Sequence, residues 1–199
     1  MVTLRYDASM ARTKEFNSDQ ALEDALRVFW EKGYEATSVQ DLVDAMGVSR
    51  SSLYQSFGSK HDLFLKVLDR FARSDRNLET ATAGMEPGLA RIRAALRLAG
   101  EQTATDTRGC LMVNAIVEQG GLDSEIQAIS QATRLHLETF FAHSLADAER
   151  RGEISPGRDH VALARFLTNA LFGLRVTAKT ASDPEVIRSI VDTTLRCIE

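Results

Sequence analysis

Proline is scarce in this chain: 3 residues in 199, against roughly 5% in an average protein. Proline breaks helices by removing an N–H and crowding the preceding turn. A chain this poor in it can be helical almost throughout. Cysteine is scarcer still. Cys110 and Cys197 are the only two, which excludes a disulfide framework and any Cys-x-x-Cys metal pair. The four histidines, His61, His136, His143 and His160, never fall at the His-Glu-x-x-His spacing of a zinc protease. No acid, base and nucleophile set stands out, so an enzyme is disfavoured and no metal or cofactor is expected. No run approaches about 18 uncharged apolar residues, so no membrane span is expected. The N-terminal stretch 1–17 carries Arg5, Asp7, Arg12, Lys14 and Glu15 and lacks the apolar segment of a secretory signal. These features together point to a reducing cytoplasm.

An excess of positive charge is also missing. There are 24 basic and 28 acidic residues, a net charge of −4. Phosphate neutralisation needs clustered Lys and Arg, so the overall balance argues against nucleic acid unless the cations are concentrated. The apolar share of 44% and charged share of 26% are ordinary for a globular chain and exclude a disordered one.

What is present is one helical pattern after another, with no convincing strand. Apolar residues at Ala21, Leu22, Ala25, Leu26, Val28, Phe29 and Trp30 mark a helix over 18–32, closed by Gly33. Thr37 precedes a short helix over 38–45, and Gly47 breaks it. Ser49 caps the next to about 56, and Ser59 caps a long one over 60–83. The stretch 83–88, containing Gly84, Pro87 and Gly88, is a loop. Further helices are expected over 88–104, from about 109 to 120, over 124–151 behind a Ser124–Gln127 capping box, over 159–179, and from Asp183-Pro184 to about 198. The expectation is an all-α chain of about nine helices: an arm over 1–17, a DNA-binding domain over 18–64, and a helical ligand-binding and dimerisation domain over 65–199.

The two short helices carry the functional signal. Leu42, Val43, Met46, Val48, Leu53 and Phe57 are their apolar set, and Gly47 joins them at helix-turn-helix spacing. The first helix would brace while the second lies in a major groove. Ser49, Arg50, Ser51 and Ser52 occupy its first turn. Small hydroxyls permit close approach to DNA, and Arg50 can reach a phosphate or a guanine edge. No acid occurs from Ser49 to Lys60. The bland alternative stays open on spacing alone: glycine between short amphipathic helices is common, and a serine-rich turn is usually a cap.

Two stretches add specificity. Ala25-Leu26-Arg27-Val28-Phe29-Trp30-Glu31-Lys32-Gly33-Tyr34-Glu35-Ala36-Thr37-Ser38-Val39 is followed by Leu53-Tyr54-Gln55-Ser56-Phe57-Gly58-Ser59-Lys60-His61-Asp62-Leu63-Phe64. Together they resemble the TetR family of bacterial transcriptional regulators over residues 16–68. The resemblance implies all-helical dimers that bind operator DNA, most members being repressors. It implies that Thr37, Tyr54 and Lys60 meet the DNA backbone, and that Arg50, Ser51 and Ser52 face the groove. It places Phe29, Tyr34 and Phe57 in the core. It also implies a basic arm, which Arg5, Arg12 and Lys14 could supply and which Asp7 and Glu15 dilute.

Beyond residue 65 the signals concern partner and ligand. Residues 161–178 are apolar or small on almost every side, which calls for cover on every side. Either the lobe's own core provides it, or a second copy packs on this helix and on the stripe Val186, Ile187, Ile190, Val191, Leu195 and Ile198. Cys110, Met112, Asn114, His136, Phe140 and Phe172 are the candidate pocket residues for a small hydrophobic or aromatic effector. Gly109-Cys110-Leu111 resembles a motif opening the sixth helix in a subset of the family. Some of that subset sense electrophiles through this cysteine, with a lysine such as Lys179 nearby. The alternative is an inert core thiol.

Overall fold

The computed structural model describes residues 17–199 apart from 76, 106, 107 and 182. Among the described residues every regular element is a helix. In chain order they are α1 (Ser18–Lys32), α2 (Val39–Met46), α3 (Arg50–Phe57), α4 (Lys60–Asp75), α5 (Asn77–Ala81), α6 (Leu89–Thr105), α7 (Leu111–Gln119), α8 (Ser124–Arg150), α9 (His160–Ala178) and α10 (Pro184–Arg196). The single helix expected over 60–83 is described as α4 and α5 on either side of residue 76. Counted as one, they bring the described elements to the nine expected.

Side-chain caps set the helix starts. Asn17 Oδ1 accepts the N–H groups of Asp19 and Gln20 at α1. Asp159 and Asp183 do the same work at α9 and α10, the latter just before Pro184. At α8 the cap is Asp123, not Ser124. Asp123 keeps an extended backbone while its carboxylate accepts the N–H groups of Glu125 and Ile126. Ser124 is already helical, so the expected Ser124–Gln127 box is displaced by one residue. Gly47 closes α2 at φ 64°, the left-handed conformation that lets the chain turn at once into α3.

The helices enclose two apolar cores. The first gathers Ala21, Ala25, Leu26 and Phe29 of α1, Leu42 and Met46 of α2, Leu53 and Phe57 of α3, and α4 as far as Ala72. Its remaining members come from much later in the chain: Cys110, then Leu111, Met112 and Ala115 of α7, and Ile126 of α8. The second core is built by α6, the later turns of α8, α9 and α10, around Leu96, Phe141, Leu145, Leu167, Leu171 and Val191. The boundary expected after residue 64 therefore falls inside a packed core, because Val67, Leu68, Phe71 and Ala72 continue it. At 27 residues, α8 is about 40 Å long, enough to close the first core with Ile126 and build the second from Leu137 onward.

Helix α9 buries Ala164, Leu167, Thr168, Leu171, Leu174, Arg175 and Ala178. Val161, Phe166 and Val176 of the same helix remain exposed. Its length and mean hydropathy of 1.2 match those of a membrane span, with only 39% of the window buried. Arg165 and Arg175 lie within it, and a helix lying between a core and a partner has the same composition.

Phe29 is fully buried, with its ring centroid 4.8 Å from that of Phe64 on α4. Truncating a buried phenylalanine costs about 3–5 kcal/mol in lost transfer energy and cavity formation. Phe29→Ala is expected to lower the unfolding free energy by that margin, read from urea denaturation followed by far-UV circular dichroism. Loss below about 1 kcal/mol would contradict this packing.

Candidate nucleic-acid interface and effector cavity

Serines open α2, α3 and α4 in succession. Ser38 Oγ accepts the N–H of Asp41, and the Asp41 carboxylate accepts the N–H of Ser38 in return. Ser59 and Asp62 repeat the arrangement at α4. Between them Ser49 Oγ accepts the N–H of Ser52 and lies 2.9 Å from Ser51 Oγ and 2.8 Å from Ser52 Oγ. The first turn of α3 is thus a preorganised hydroxyl cluster with no acid in it. The acids nearest in sequence before it are engaged elsewhere. Asp41 is bonded to Lys32 Nζ at 2.7 Å, and Asp44 accepts from Gln40 Nε2 at 2.8 Å.

Arg50 and Ser51 are exposed at the start of α3, and Tyr54 is 48% exposed one turn on. Ser49 is exposed and Ser52 half-buried. Lys60 is half-buried, with its ammonium 4.4 Å from the centroid of the Tyr34 ring. This cation–π contact holds the charge at the N-terminus of α4, where the helix dipole also favours an anion. Burial pushes the Tyr34 phenol above its ordinary pKa, with Glu35 and Asp123 adding to the shift. One expected contact is overturned. Thr37 is 1% exposed and its hydroxyl donates to the Gly33 carbonyl at 2.6 Å. It pins the turn between α1 and α2 from inside and is not presented to a phosphate. The arm cations Arg5, Arg12 and Lys14 lie outside the described residues.

The expected pocket residues do not converge. Met112 is fully buried in the first core, Phe140 is buried in the second, and Phe172 packs against the second. His136 is half-buried on α8. Met112, His136, Phe140 and Phe172 are not among the residues that line the cavity between α7 and α9. Cys110 and Asn114 are. They line this cavity of about 290 Å³ with Val113, Val117, Val176 and Lys179. Arg175, 4% exposed, also lines it and donates from Nη1 to Cys110 Sγ at 3.6 Å.

Helix α7 connects this cavity to the DNA-binding lobe at both of its ends. At its start Trp30 Nε1 donates to the Gly109 carbonyl at 2.9 Å, and the Arg108 guanidinium stacks 4.3 Å over the Trp30 ring. At its far end the Glu118 carboxylate accepts the N–H groups of Tyr34 and Glu35 at 2.9 and 2.8 Å. Gly33 makes that approach possible: a Cβ there would lie 3.1 Å from the Glu118 carboxylate. Gln119 Nε2 adds a bond to Glu35 at 2.6 Å. Trp30, Glu118, Gln119 and Arg175 were not singled out as functional residues by sequence reasoning. Their partners are 65–84 residues away, and no local pattern reports such a distance.

A helix-turn-helix whose second helix exposes hydroxyls and an arginine, attached to a larger helical lobe with a cavity, defines a DNA-binding regulator class. Residues 21–67 match the family model for bacterial regulatory proteins of the tetR family, and residues 88–194 match the tetracyclin repressor-like C-terminal domain. The chain is 34% identical over 194 residues to the HTH-type transcriptional repressor ComR of Escherichia coli K12, covering 94% of this chain and 91% of ComR. It is 32% identical to the HTH-type transcriptional regulator YezE of Bacillus subtilis 168, covering 96% and 100%. The fold is similar, at TM-score 0.80 and 29% identity over 94% of this chain and 100% of the other, to a cysteine mutant of the TetR-family regulator CifR complexed with 26-bp operator DNA. The chain belongs to the TetR family: it is a DNA-binding transcriptional regulator, not an enzyme.

The caps give this lobe an acid limit. Asp41 is held well below the ordinary carboxylate range, first by the Lys32 ammonium and then by Ser38. Asp62 is held low by the Ser59 amide and hydroxyl. A depressed folded pKa means the caps contribute fully above the unfolded pKa near about 4 and are lost as pH falls through the lower folded values. The Ser38 and Ser59 amide resonances are expected to hold steady down to about pH 4 and to shift only below it. Asp41→Asn and Asp62→Asn are each expected to remove the step at their own serine. A Ser38 or Ser59 amide titrating near neutrality would contradict the assignment.

Proposed function

We propose that this protein is a cytoplasmic homodimeric repressor that binds a palindromic operator through α3 and is released by a small, mainly apolar effector in the cavity between α7 and α9. The observation that carries the reading is the double membership of α7. It lines the cavity on one side, while Leu111, Met112 and Ala115 lie in the core of the DNA-binding lobe on the other. An effector that wedges between α7 and α9 cannot displace α7 without shifting the turn that Glu118 holds before α2. Such a ligand acts only through the difference in its affinity for the two arrangements.

The dimer reading rests on the uncovered apolar side of α9. Val161 and Phe166 are exposed there, and Val186 is exposed on α10. A Cβ at Gly173 of α9 would meet nothing within 4 Å. Helix faces of this kind are buried by a second copy across a two-fold axis. Two α3 helices then read half-sites about 34–36 Å apart. Ser49, Arg50, Ser51, Ser52, Tyr54 and Lys60 are the proposed DNA contacts.

A second reading of the switch has its own observation. The Cys110 thiol sits at the N-terminus of α7 and accepts a hydrogen bond from a buried guanidinium. Cys110 also lines the cavity, so the same cavity suits an electrophile that alkylates its thiol.

Selection of an operator from random DNA, followed by gel shift, tests the core of the reading. Arg50→Ala is expected to weaken the selected operator by about 1–3 kcal/mol if it reads a base. Tyr54→Phe is expected to weaken all sequences alike. Absence of any sequence-specific binding by the wild type would overturn the reading. For the switch, iodoacetamide is expected to release operator from a Cys197→Ser background and not from Cys110→Ser in that background. Equal release from both would eliminate the thiol reading and leave the non-covalent effector.

A further inference from the structure

The α7–α8 corner meets the DNA-binding lobe through one more group of side chains. His61 lies in the first turn of α4, next to Lys60. Asp123 caps α8 and Glu125 lies in its first turn. His61 Nε2 is 2.6 Å from Asp123 Oδ2, and His61 Nδ1 is 3.9 Å from Glu125 Oε2. One donor atom from each of the three residues falls within a sphere of mutual distances no greater than 4.8 Å. Asp123 is oriented by its own backbone: Oδ1 accepts the N–H groups of Glu125 and Ile126 at 2.9 and 3.1 Å, which turns Oδ2 toward the imidazole. Those bonds, that from Ile126 first, also hold its carboxyl below the ordinary range, so it is an anion at neutral pH.

An ordinary His–Asp bridge needs only one carboxylate. Here two carboxylates from the start of α8 flank one imidazole of α4, Asp123 at Nε2 and Glu125 at Nδ1. One nitrogen and two carboxylate oxygens, partly open to water, form a donor set for a first-row divalent cation. Bonds of about 2.0–2.2 Å from such a cation bring donors to separations of roughly 3.0–3.5 Å, which these side chains reach by rotating the ring and the exposed Glu125. Water would complete the coordination. We propose that His61, Asp123 and Glu125 bind a divalent transition-metal ion of the zinc type, and that the ion staples the start of α4 to the start of α8. The site is separate from the α7–α9 cavity. It would fix the position of α4, and with it Lys60, relative to the effector lobe. Only this last consequence rests on the proposed operator binding.

The test uses the full-length protein and Zn²⁺ alone, without DNA. Isothermal titration is expected to give a single saturable site per chain in the wild type. His61→Gln and Glu125→Gln are each expected to weaken it by about tenfold or more. Asp123 is spared because it caps α8. Zn²⁺ is also expected to raise the Tm of the wild type, and to raise that of either variant less at the same concentration. Glu125 is 67% exposed, so its substitution does not threaten the fold. No saturable binding in the wild type, or wild-type affinity retained by either variant, overturns the proposal. Because no step involves DNA, failure of the operator reading leaves this result intact, and the reverse holds too.

Discussion

The burial of α7 among side chains of α1 and α4 is the constraint on which the rest of this molecule depends. Leu111, Met112 and Ala115 are all but inaccessible to solvent there. They belong to a core whose other residues are, Cys110 and Ile126 apart, all within the first 72 positions. The chain therefore has to leave the DNA-binding lobe after α4, build α6, and come back before it can go on to α8, α9 and α10. This return divides the molecule by packing rather than by sequence position. It puts a helix of the later region under the first lobe, with Trp30 fastening its start and Glu118 its end. A core of this kind is close-packed and transmits displacement instead of absorbing it. That is why the α7–α9 cavity matters more than its modest volume suggests: the other face of its α7 wall is the floor of the DNA-binding lobe.

The same constraint explains the polar character of the α7–α8 corner. A turn such as 33–35 exposes amides that its own helix does not satisfy, and buried or half-buried amides need partners. Glu118 supplies two at once, Gln119 bonds to Glu35, and Asp123 reaches His61. The joint between lobes is thus apolar under α7 and charged at its end. An apolar contact tolerates sliding. A carboxylate accepting two amides fixes an angle. Together they let the lobes stay attached while defining how they are oriented.

Much of this was legible in the sequence, for physical reasons that differ by element. The helices were readable because apolar periodicity and caps are local: Ser49, Ser59 and Asp183 act on amides two or three residues away. The helix-turn-helix was readable because Gly47 and the residues around it must satisfy one tight geometry within twenty positions. Thr37 was misplaced because a threonine at a helix entrance has the same neighbours whether its hydroxyl turns out to solvent or in to the Gly33 carbonyl. Met112, Phe140 and Phe172, expected at a pocket, pack in or against the two cores. Apolar residues facing a cavity and apolar residues facing a core have the same spacing, and only tertiary packing separates them. Cys110 and Asn114 line the α7–α9 cavity, and polar or reactive groups on an apolar helix need a particular neighbour. Arg175 was not readable, since its counterpart is 65 residues away.

The charge balance that first argued against nucleic acid is resolved by where the acids are used. Asp41 and Asp62 are turned into caps for their own helices, Asp44 is tied to Gln40, and Asp123 closes α8. A carboxylate bonded to amides at a helix N-terminus offsets the local dipole and projects little net field toward DNA. What remains on the outer surface of α3 is a cluster of hydroxyls with one exposed guanidinium. A face with so few cations neutralises few phosphates, so binding to a single half-site would be weak and its salt dependence shallow. Useful affinity must then come from joining two half-sites, since a second contact made within one complex is helped by effective concentration. In the proposed dimer the uncovered apolar side of α9 would make that join, which ties the sparse recognition face to the otherwise costly exposure of Val161 and Phe166.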